Sequence, residues 1–364
     1  MKAIVYTRYG SPEVLRLQEV AEPVPTEQQV LVRVHAASAN ALDYRRFEKL
    51  SRAGRFVEER LLKTVNQVLG VDIAGTVTAV GRSVTRFKPG DDVFGVTSRL
   101  VGGFAEYAVA DEGQVALKPA AVSFEQAAAV PVAAVTALRA VRDKARLRPG
   151  QRVLVYGAAG GVGTFAVQLA KVLGGEVTAV CGPRNVDLVR SLGAQQVVDY
   201  TRDDVTRSGQ RFDAIFAVNG DRSLFDYRRV LSPGGTCVVV GGSLAQIFQG
   251  LLLGPLLSLV GRQKLGALAV AKVTSLDLEY LGSLLATGSV APVVERQCRL
   301  DAVPEALGVL AAGHARGKLV VDVAQAAVAQ GRSPEKLQQG RLAAGGGLPG
   351  TAAEAVRAEL SHSR

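Results

Sequence analysis

The stretch VLVYGAAGGVG, residues 153–163, decides the fold. An apolar strand runs into a glycine-rich turn, and the apolar residues that follow as far as 170 are typical of a helix. Glycine in such a turn permits a sharp bend, close approach of the backbone to a diphosphate, and tight packing of the helix on the strand. The start of the helix also offers N–H groups and a partial positive charge to an anion. The stretch therefore predicts a dinucleotide site, and a turn with a purely structural role is the alternative.

The residues of this turn predicted to contact the diphosphate are Ala159, Gly160, Gly161, Val162 and Gly163. The pattern departs from Gly-x-Gly-x-x-Gly because Ala158 stands where the first glycine belongs. The end of the next strand, 177–185, has no acidic residue, which an NAD site would use to bind the ribose hydroxyls. Arg184 lies there, 21 positions after Gly163, and can pair with a 2′-phosphate. These features predict NADPH as the cofactor, with a solvated loop arginine as the alternative.

Strands and helices alternate after residue 150. The predicted strands are 152–156, 176–181, 196–199, 213–218 and 236–240, and the predicted helices are 161–173, 186–192 and 224–231. Before them, a Ser123 cap with Gln126 three residues on predicts a helical region that is broken at Pro131. This alternation predicts the α/β class, with a doubly wound parallel sheet covered by helices on both faces.

The two ends of the chain have different patterns. Short strands separated by glycines and prolines are predicted at 2–6, 14–20, 29–37, 71–80, 92–96 and 104–109, which indicates a mainly antiparallel, barrel-like unit. Later segments predict a helix at 276–286, a strand at 291–300, a helix at 303–312 and a strand at 319–323. Residues 324–364 lose the strand pattern, contain glycine runs and lack aromatic residues, so a mobile tail is predicted.

The composition is that of a globular protein. Of 364 residues, 48% are hydrophobic and 21% are charged, which excludes wholesale disorder. Three cysteines, far apart in the sequence, exclude a disulfide framework and a Cys-x-x-Cys zinc site. The N-terminus has no signal-peptide pattern, and the longest apolar run, 251–260, is too short to span a membrane. We therefore expect a soluble, cytoplasmic protein with no integral membrane segment.

The formal net charge of +10 favours anionic partners. The densest basic stretch, 43–63, is interrupted by glutamates and has few aromatic residues, so a solvated helical face or loop is the preferred interpretation. The sequence contains no motif that reads nucleic acid. We expect no nucleic-acid partner, and the charge is compatible with a phosphate-bearing cofactor.

A series of motifs occurs in order along residues 1–323. They are NALD (40–43), GVDIAGTV (70–77), KPGDDV (88–93), GFAEY (103–107), TA (136–137), AAGGVG (158–163), LGA (192–194), DY (199–200) and HARGK (314–318). Together they resemble the medium-chain dehydrogenase/reductase superfamily, in its zinc-independent quinone oxidoreductase-like branch. The resemblance implies a homodimer. It also implies a GroES-like, β-barrel-type substrate domain over 1–122 and 290–323, and an inserted Rossmann NADPH-binding domain over 123–289.

The resemblance also concerns the metal. Zinc enzymes of the superfamily have a cysteine ligand and a Gly-His-Glu motif where this sequence has Ala39-Asn40 and Gly70-Val71-Asp72. One carboxylate without a thiolate or an imidazole does not supply the three protein ligands of catalytic zinc. The resemblance therefore implies hydride transfer from NADPH to a quinone or an α,β-unsaturated carbonyl, without metal. The alternative is a nucleotide-binding protein of the same fold with little or no turnover.

The resemblance assigns two catalytic residues, each with a structural alternative. Asn40 is predicted to face the nicotinamide ribose or the substrate oxygen, and a turn amide is its alternative. Tyr44 is predicted to hydrogen-bond a substrate oxygen, and a packing aromatic is its alternative. Asp43 is predicted to orient its neighbours, and His35 to be structural.

Further cofactor contacts are implied away from the glycine-rich turn. They are Thr136 beside the nicotinamide, Tyr200 near the adenosine phosphate, Gly241 and Ser243 at the crevice, and Lys318 near the 2′-phosphate. A helix-interior hydroxyl, a core aromatic and an exposed lysine are the respective alternatives for Thr136, Tyr200 and Lys318. The apolar segment 244–265 is predicted to form a pocket wall, a dimer face or a core helix.

Overall fold

The computed structural model describes residues 1–47, 67–220, 222–242, 249–260, 262–268, 271–313 and 315–324. Within these residues the strands are β1 (Lys2–Tyr6), β2 (Leu15–Glu19), β3 (Gln29–Ala39), β4 (Gln67–Val68), β5 (Asp72–Val80), β6 (Asp92–Val96), β7 (Tyr107–Asp111), β8 (Val115–Leu117), β9 (Arg152–Tyr156), β10 (Glu176–Cys181), β11 (Gln196–Asp199), β12 (Phe212–Val218), β13 (Leu231–Val240), β14 (Lys264–Leu268), β15 (Val294–Arg299) and β16 (Lys318–Asp322). The α-helices are α1 (Ala41–Phe47), α2 (Phe124–Ala128), α3 (Pro131–Leu138), α4 (Gly161–Val172), α5 (Val186–Ser191), α6 (Leu224–Val230), α7 (Gly254–Val260), α8 (Ser275–Ala286) and α9 (Val303–Ala311). Apart from Ala324, the predicted tail lies outside the described residues, as does Ser243.

Strand β9, which opens the glycine-rich stretch, is a central strand of a six-stranded parallel sheet ordered β11-β10-β9-β12-β13-β14. Successive side chains of a strand point to opposite faces of the sheet. Val153 and Val155 accordingly pack in one apolar cluster with residues of α4, whereas Leu154 and Tyr156 pack in another with residues of α6. Helices therefore cover both faces, and the predicted doubly wound α/β class is confirmed.

The remaining strands form a second, mostly antiparallel layer. Seven strands make one sheet in the order β15-β16-β3-β5-β6-β8, with β7 also paired to β3, and a separate sheet has the order β2-β1-β4. The late strand β16 pairs with the early strand β3, so that Leu319 lies opposite Ala39. The chain thus leaves this layer, builds the parallel sheet and returns.

The structure also corrects several predicted bounds. The break at Pro131 is present, separating α2 from α3, and Ser123 and Gln126 form a reciprocal capping box at the start of α2. The predicted strand 104–109 is displaced, because its regular ladder with β3 starts only at Tyr107. Strands β4, β8 and β14 were not predicted. Strands β4 and β8 are only two and three residues long, and β14 begins at the end of the apolar segment 244–265.

Candidate functional site

The glycine-rich turn joins β9 to α4 in a geometry that requires two of its glycines. Gly157 has a φ of +72°, and a Cβ there would lie 2.0 Å from the carbonyl oxygen of Val218. A Cβ on Gly163 would lie 2.1 Å from the carbonyl oxygen of Gly157. Helix α4 begins at Gly161, and its N-cap, Gly160, has no side chain to satisfy the N–H groups of the first turn. This bare, positively polarised helix start fits a diphosphate.

The ends of β10 and β11 bring two other predicted cofactor contacts together. Cys181 pairs with Asp199, so the residues after both strands emerge at the same edge of the sheet. A Cβ on Gly182 would lie 3.1 Å from the hydroxyl oxygen of Tyr200. Tyr200 is half exposed, so the alternative of a core aromatic is wrong. Arg184, in the turn after Gly182, is exposed and available to an anion.

Gly241 directly follows β13, which ends beside β12 at the same edge as the glycine-rich turn. Its φ is +70°, and a Cβ there would meet no atom within 4 Å, so this backbone borders open space. The next carbonyl oxygen, of Gly242, accepts a hydrogen bond of 2.8 Å from Nη2 of Arg45 in α1. Helix α1, which carries Tyr44, is therefore tied to the end of β13.

Asn40 lies between β3 and α1 in a buried polar cluster. Its Nδ2 donates to Oδ2 of Asp72 at 2.9 Å, and its Oδ1 accepts from Nζ of Lys318 at 2.6 Å. Asp72 faces Ser38 across β3 and β5, and its Oδ2 accepts from the Ser38 hydroxyl at 2.9 Å. Its Oδ1 accepts from the N–H of Val132 in the first turn of α3 at 3.0 Å. The predicted catalytic residue Asn40 is thus linked directly to the predicted cofactor residue Lys318.

Lys318 is placed differently from its predicted role. Its side chain is 3% exposed, and Nζ donates to the Ala39 carbonyl at 3.1 Å as well as to Asn40 and Asp72. An ammonium has three N–H donors, and all three have acceptors within the protein. No N–H of the ammonium is left for a 2′-phosphate, so the geometry argues against the predicted contact. Because the side chain is buried, the alternative of an exposed lysine is wrong. The stem of Lys318 instead passes the glycine-rich turn, because a Cβ on Gly161 would lie 3.1 Å from its Cδ.

Asp43 orients the loop that carries Asn40, as predicted. Its Oδ2 accepts a hydrogen bond of 2.8 Å from the backbone N–H of Asn40, whereas Oδ1 is buried without a partner among the described residues. Burial raises the pKa of Asp43 to about 7, and the hydrogen bond from Asn40 acts in the opposite direction. Asp43 therefore holds Asn40 in place from a buried position that favours the neutral form of its carboxyl group.

Two other predicted site residues keep a polar group available. Tyr44 is half-buried, and no hydrogen bond from its hydroxyl is found among the described residues. Thr136 is buried in α3, one turn beyond the N–H that binds Asp72, and its hydroxyl likewise has no such partner there.

His35 stacks on Phe124 with ring centroids 4.3 Å apart and contacts the Thr76 hydroxyl at 3.1 Å, which agrees with its predicted structural role.

The donor set around Asp72 does not fit a zinc ion. The carboxylate faces an ammonium, a carboxamide nitrogen, a hydroxyl and a backbone N–H, and each of these is a hydrogen-bond donor to it. A zinc site needs several lone-pair ligands directed at one point. Across the described ranges, no group of three His, Cys, Asp or Glu side chains is arranged to hold a metal.

Sequence reasoning missed parts of this site. Ser38 and the N–H of Val132 are generic features of a strand and a helix start, so no pattern identified them. Arg45 was visible within the basic stretch 43–63, whose described arginines lie in α1, but its acceptor is distant in sequence. Residues 48–63 of that stretch lie outside the described residues.

The chain matches two family models and many known proteins. Residues 26–120 match the alcohol dehydrogenase GroES-like domain, and residues 192–321 match the zinc-binding dehydrogenase model. The spinach (Spinacia oleracea) protein named quinone-oxidoreductase homolog, chloroplastic, is 33% identical over 88% of this chain and 98% of its own length. The NADPH-dependent alkenal/one oxidoreductase, chloroplastic, of Arabidopsis thaliana is 32% identical over 88% of this chain and 79% of its own length.

A solved structure has the same fold. The Escherichia coli quinone oxidoreductase complexed with NADPH superposes with a TM-score of 0.77 at 25% identity, covering 89% of this chain and all of its own. The identity and coverage of the spinach and Arabidopsis proteins exclude a likeness limited to one domain. Together with the glycine-rich turn and the two-layer architecture, they establish that the chain belongs to the medium-chain dehydrogenase/reductase superfamily, in its quinone oxidoreductase-like branch.

Proposed function

We propose that the protein is an NADPH-dependent oxidoreductase that transfers hydride to a quinone or an α,β-unsaturated carbonyl without a metal. The names of its relatives support both acceptor classes and the cofactor. The observation that carries the proposal is the contact between the glycine-rich turn and the polar cluster, made through the stem of Lys318 on Gly161. A dinucleotide held at the turn thereby reaches the layer that contains Asn40.

The chain contributes binding and orientation to this reaction. NADPH, when bound, supplies the hydride. The first turn of α4 binds the diphosphate, and Arg184 pairs with the 2′-phosphate beside Tyr200. The Tyr44 hydroxyl faces the acceptor and donates a hydrogen bond to its oxygen, while Thr136 contacts the nicotinamide side. Negative charge developing on a conjugated oxygen is stabilised by such a donor.

The proposal is tested by following NADPH oxidation with a panel of quinones and enones, in parallel with a fluorescence titration of NADPH. The expected result is saturable NADPH binding and turnover of at least one acceptor that persists in a chelator. Binding without turnover of any member would favour a nucleotide-binding protein. Loss of turnover to the chelator would overturn the metal-free mechanism.

We propose the division into domains that the resemblance implies, with residues 1–122 and 290–323 in the substrate domain and 123–289 in the Rossmann domain. The pairing of β16 with β3 supports this, because it returns the chain to the first layer after the parallel sheet is complete. The glycine-rich turn and the polar cluster then lie at the junction of the two domains.

We also propose a homodimer formed through β14. Among the residues that the structure describes, this strand is an edge of the parallel sheet, and such an edge is a template for pairing with a second copy. Beside it, four leucines are 37–58% exposed: Leu251, Leu252, Leu253 and Leu256. The core-helix interpretation of segment 244–265 therefore does not hold for these residues, and a dimer face gives their apolar surface a partner.

A cytoplasmic location is proposed from cysteine chemistry. The three cysteines are free, and Cys181 and Cys237 are buried, which suits a reducing compartment. The helices within the described ranges are too short or too polar to cross a bilayer. Fractionation of cells that express the full chain tests the location, and recovery with an organelle would overturn it, since the spinach relative is named chloroplastic.

A further inference from the structure

The ion pair between Lys318 and Asp72 is the most deeply buried one in the described part of the chain. The exposed fractions of the two side chains are 3% and 0%, and Nζ lies 3.3 Å from Oδ2. Burying two charges is costly unless their remaining hydrogen-bonding groups are satisfied. Here three acceptors surround the ammonium and four donors surround the carboxylate. Such a fully satisfied pair is rigid and fixes whatever it contacts.

The group it fixes is the carboxamide of Asn40. The Lys318 ammonium has only hydrogen-bond donors, so the carboxamide oxygen must face Lys318. The Asp72 carboxylate has only acceptors, so the carboxamide nitrogen must face Asp72. Nδ2 also donates to the carbonyl oxygen of Ser38, with 3.4 Å between the nitrogen and the oxygen. Both donors of the Asn40 side chain are therefore directed at the protein, and only a lone pair on Oδ1 remains for a ligand.

We propose that Lys318 and Asp72 are positioning residues, which present Asn40 as a hydrogen-bond acceptor for a hydroxyl group of the cofactor ribose. Asn40 then donates nothing to the substrate oxygen, and of the two roles that the resemblance implies for it, the ribose contact remains. This proposal rests on the proposed function. It also assigns Lys318 a place between the two domains, since its stem lies on Gly161 and the neighbouring N–H of Gly317 donates to the Ala159 carbonyl at 2.8 Å.

Two variants separate positioning from a structural ion pair. Lys318→Met leaves a buried carboxylate unpaired, so both thermal stability and turnover should fall, kcat/KM by roughly 100-fold as for a displaced catalytic group. The double variant D72N/K318M removes both charges. The proposal predicts that its Tm recovers most of the loss while kcat/KM stays low, because Asn40 Oδ1 has lost its donor. Recovery of kcat/KM together with Tm would overturn the proposal.

A third variant tests whether residue 40 accepts or donates. The exchange N40D/D72N keeps an acceptor at position 40 and the same net charge, but removes the carboxamide donor. If Asn40 only accepts, the folded variant keeps kcat/KM within about tenfold of the wild type. A loss as large as that of Lys318→Met, with NADPH binding and Tm retained, would show that Asn40 donates to the substrate and would refute the proposal.

The cofactor preference is the remaining readout. A buried Lys318 predicts that Lys318→Met leaves the ratio of NADPH to NADH affinity unchanged in fluorescence titrations. A fall in that ratio would place the ammonium on the 2′-phosphate and overturn the proposal. A wild-type protein with no turnover would instead refute the proposed function and this inference with it, whereas an active wild type with unaffected variants refutes this inference alone.

Discussion

The substitution Gly160→Ala tests the glycine-rich turn without disturbing the free protein. Gly160 has φ −79° and ψ 173°, which alanine adopts freely. A Cβ there would lie 3.6 Å from the carbonyl oxygen of Gly157, its nearest neighbour, which is an ordinary contact. The added methyl group therefore projects into open space at the start of α4. If a diphosphate occupies that space, the methyl group displaces it from the N–H groups of the first turn.

The expected size of the effect follows from the hydrogen bonds lost. A hydrogen bond to a charged group contributes about 1.5–3 kcal/mol. Because 1.4 kcal/mol is a factor of ten, loss of one such bond weakens NADPH binding roughly 10- to 100-fold. Gly163→Ala differs, because its Cβ would lie 2.1 Å from a backbone oxygen, about 1.3 Å short of a 3.4 Å contact. That overlap destabilises the free protein by about 1–3 kcal/mol.

The assay combines an NADPH fluorescence titration with thermal unfolding of the free protein. Gly160→Ala should keep the wild-type Tm and lose affinity, and Gly163→Ala should lose both. Gly113→Ala is the control, because a Cβ there meets nothing within 4 Å. Gly113 lies in the turn Glu112–Gln114 of the antiparallel layer, not in the glycine-rich turn. If Gly160→Ala binds NADPH as tightly as the wild type, the diphosphate does not rest on this turn.

Three further substitutions test other parts of the site. Arg184→Ala should raise the KM for NADPH roughly tenfold and leave the KM for NADH unchanged, because only NADPH has a 2′-phosphate. Arg190→Ala, at another exposed arginine, is the control. Equal effects on the KM values of both cofactors would show that Arg184 does not bind the 2′-phosphate. The pKa of Asp43 is raised from 3.8 to about 7, so between these values the folded state binds more protons than the unfolded state, and this group's stabilisation is lost as pH rises. Asp43→Asn should therefore flatten the fall in Tm between about pH 4 and pH 7, and an unchanged slope would contradict the raised pKa. Leu256→Glu should convert the dimer to a monomer in light scattering, whereas a wild type already monomeric would refute the proposed interface.

The parallel sheet was predictable because its signals are local. The run from Val153 to Gly163 contains the strand, the turn and the helix start within a few residues, and the observed α4 starts at the predicted residue. Strands β4 and β8 are two and three residues long, too short for a periodic pattern, and exist because a partner strand is present. The observed start of β7, at Tyr107, differs from the predicted start at 104 for the same reason, because pairing with β3 defines where the strand begins.

The polar cluster was only partly predictable. Asn40 and Asp43 are three residues apart, so a local turn interaction between them follows from the sequence. Lys318 and Asp72 are separated by 246 positions, and no local pattern indicates that they meet. On charge alone, a lysine near a proposed phosphate site is expected to pair with the phosphate. Lys318 is buried against the Asp72 carboxylate because β16 returns to pair with β3. This pairing is visible only in the three-dimensional structure.

This long-range contact has a consequence for how the two layers work together. Asn40 is oriented by a lysine that belongs to the last described strand, and the residue before that lysine bonds to the glycine-rich turn. A Cβ on Gly317 would lie 2.3 Å from the carbonyl oxygen of Val293 at a φ of +74°, so this junction tolerates glycine alone. The glycine-rich turn and Asn40 are therefore held at a fixed separation by β16. A dinucleotide long enough to reach from one to the other needs that separation fixed, because a displacement of about 1 Å already costs roughly 100-fold in rate.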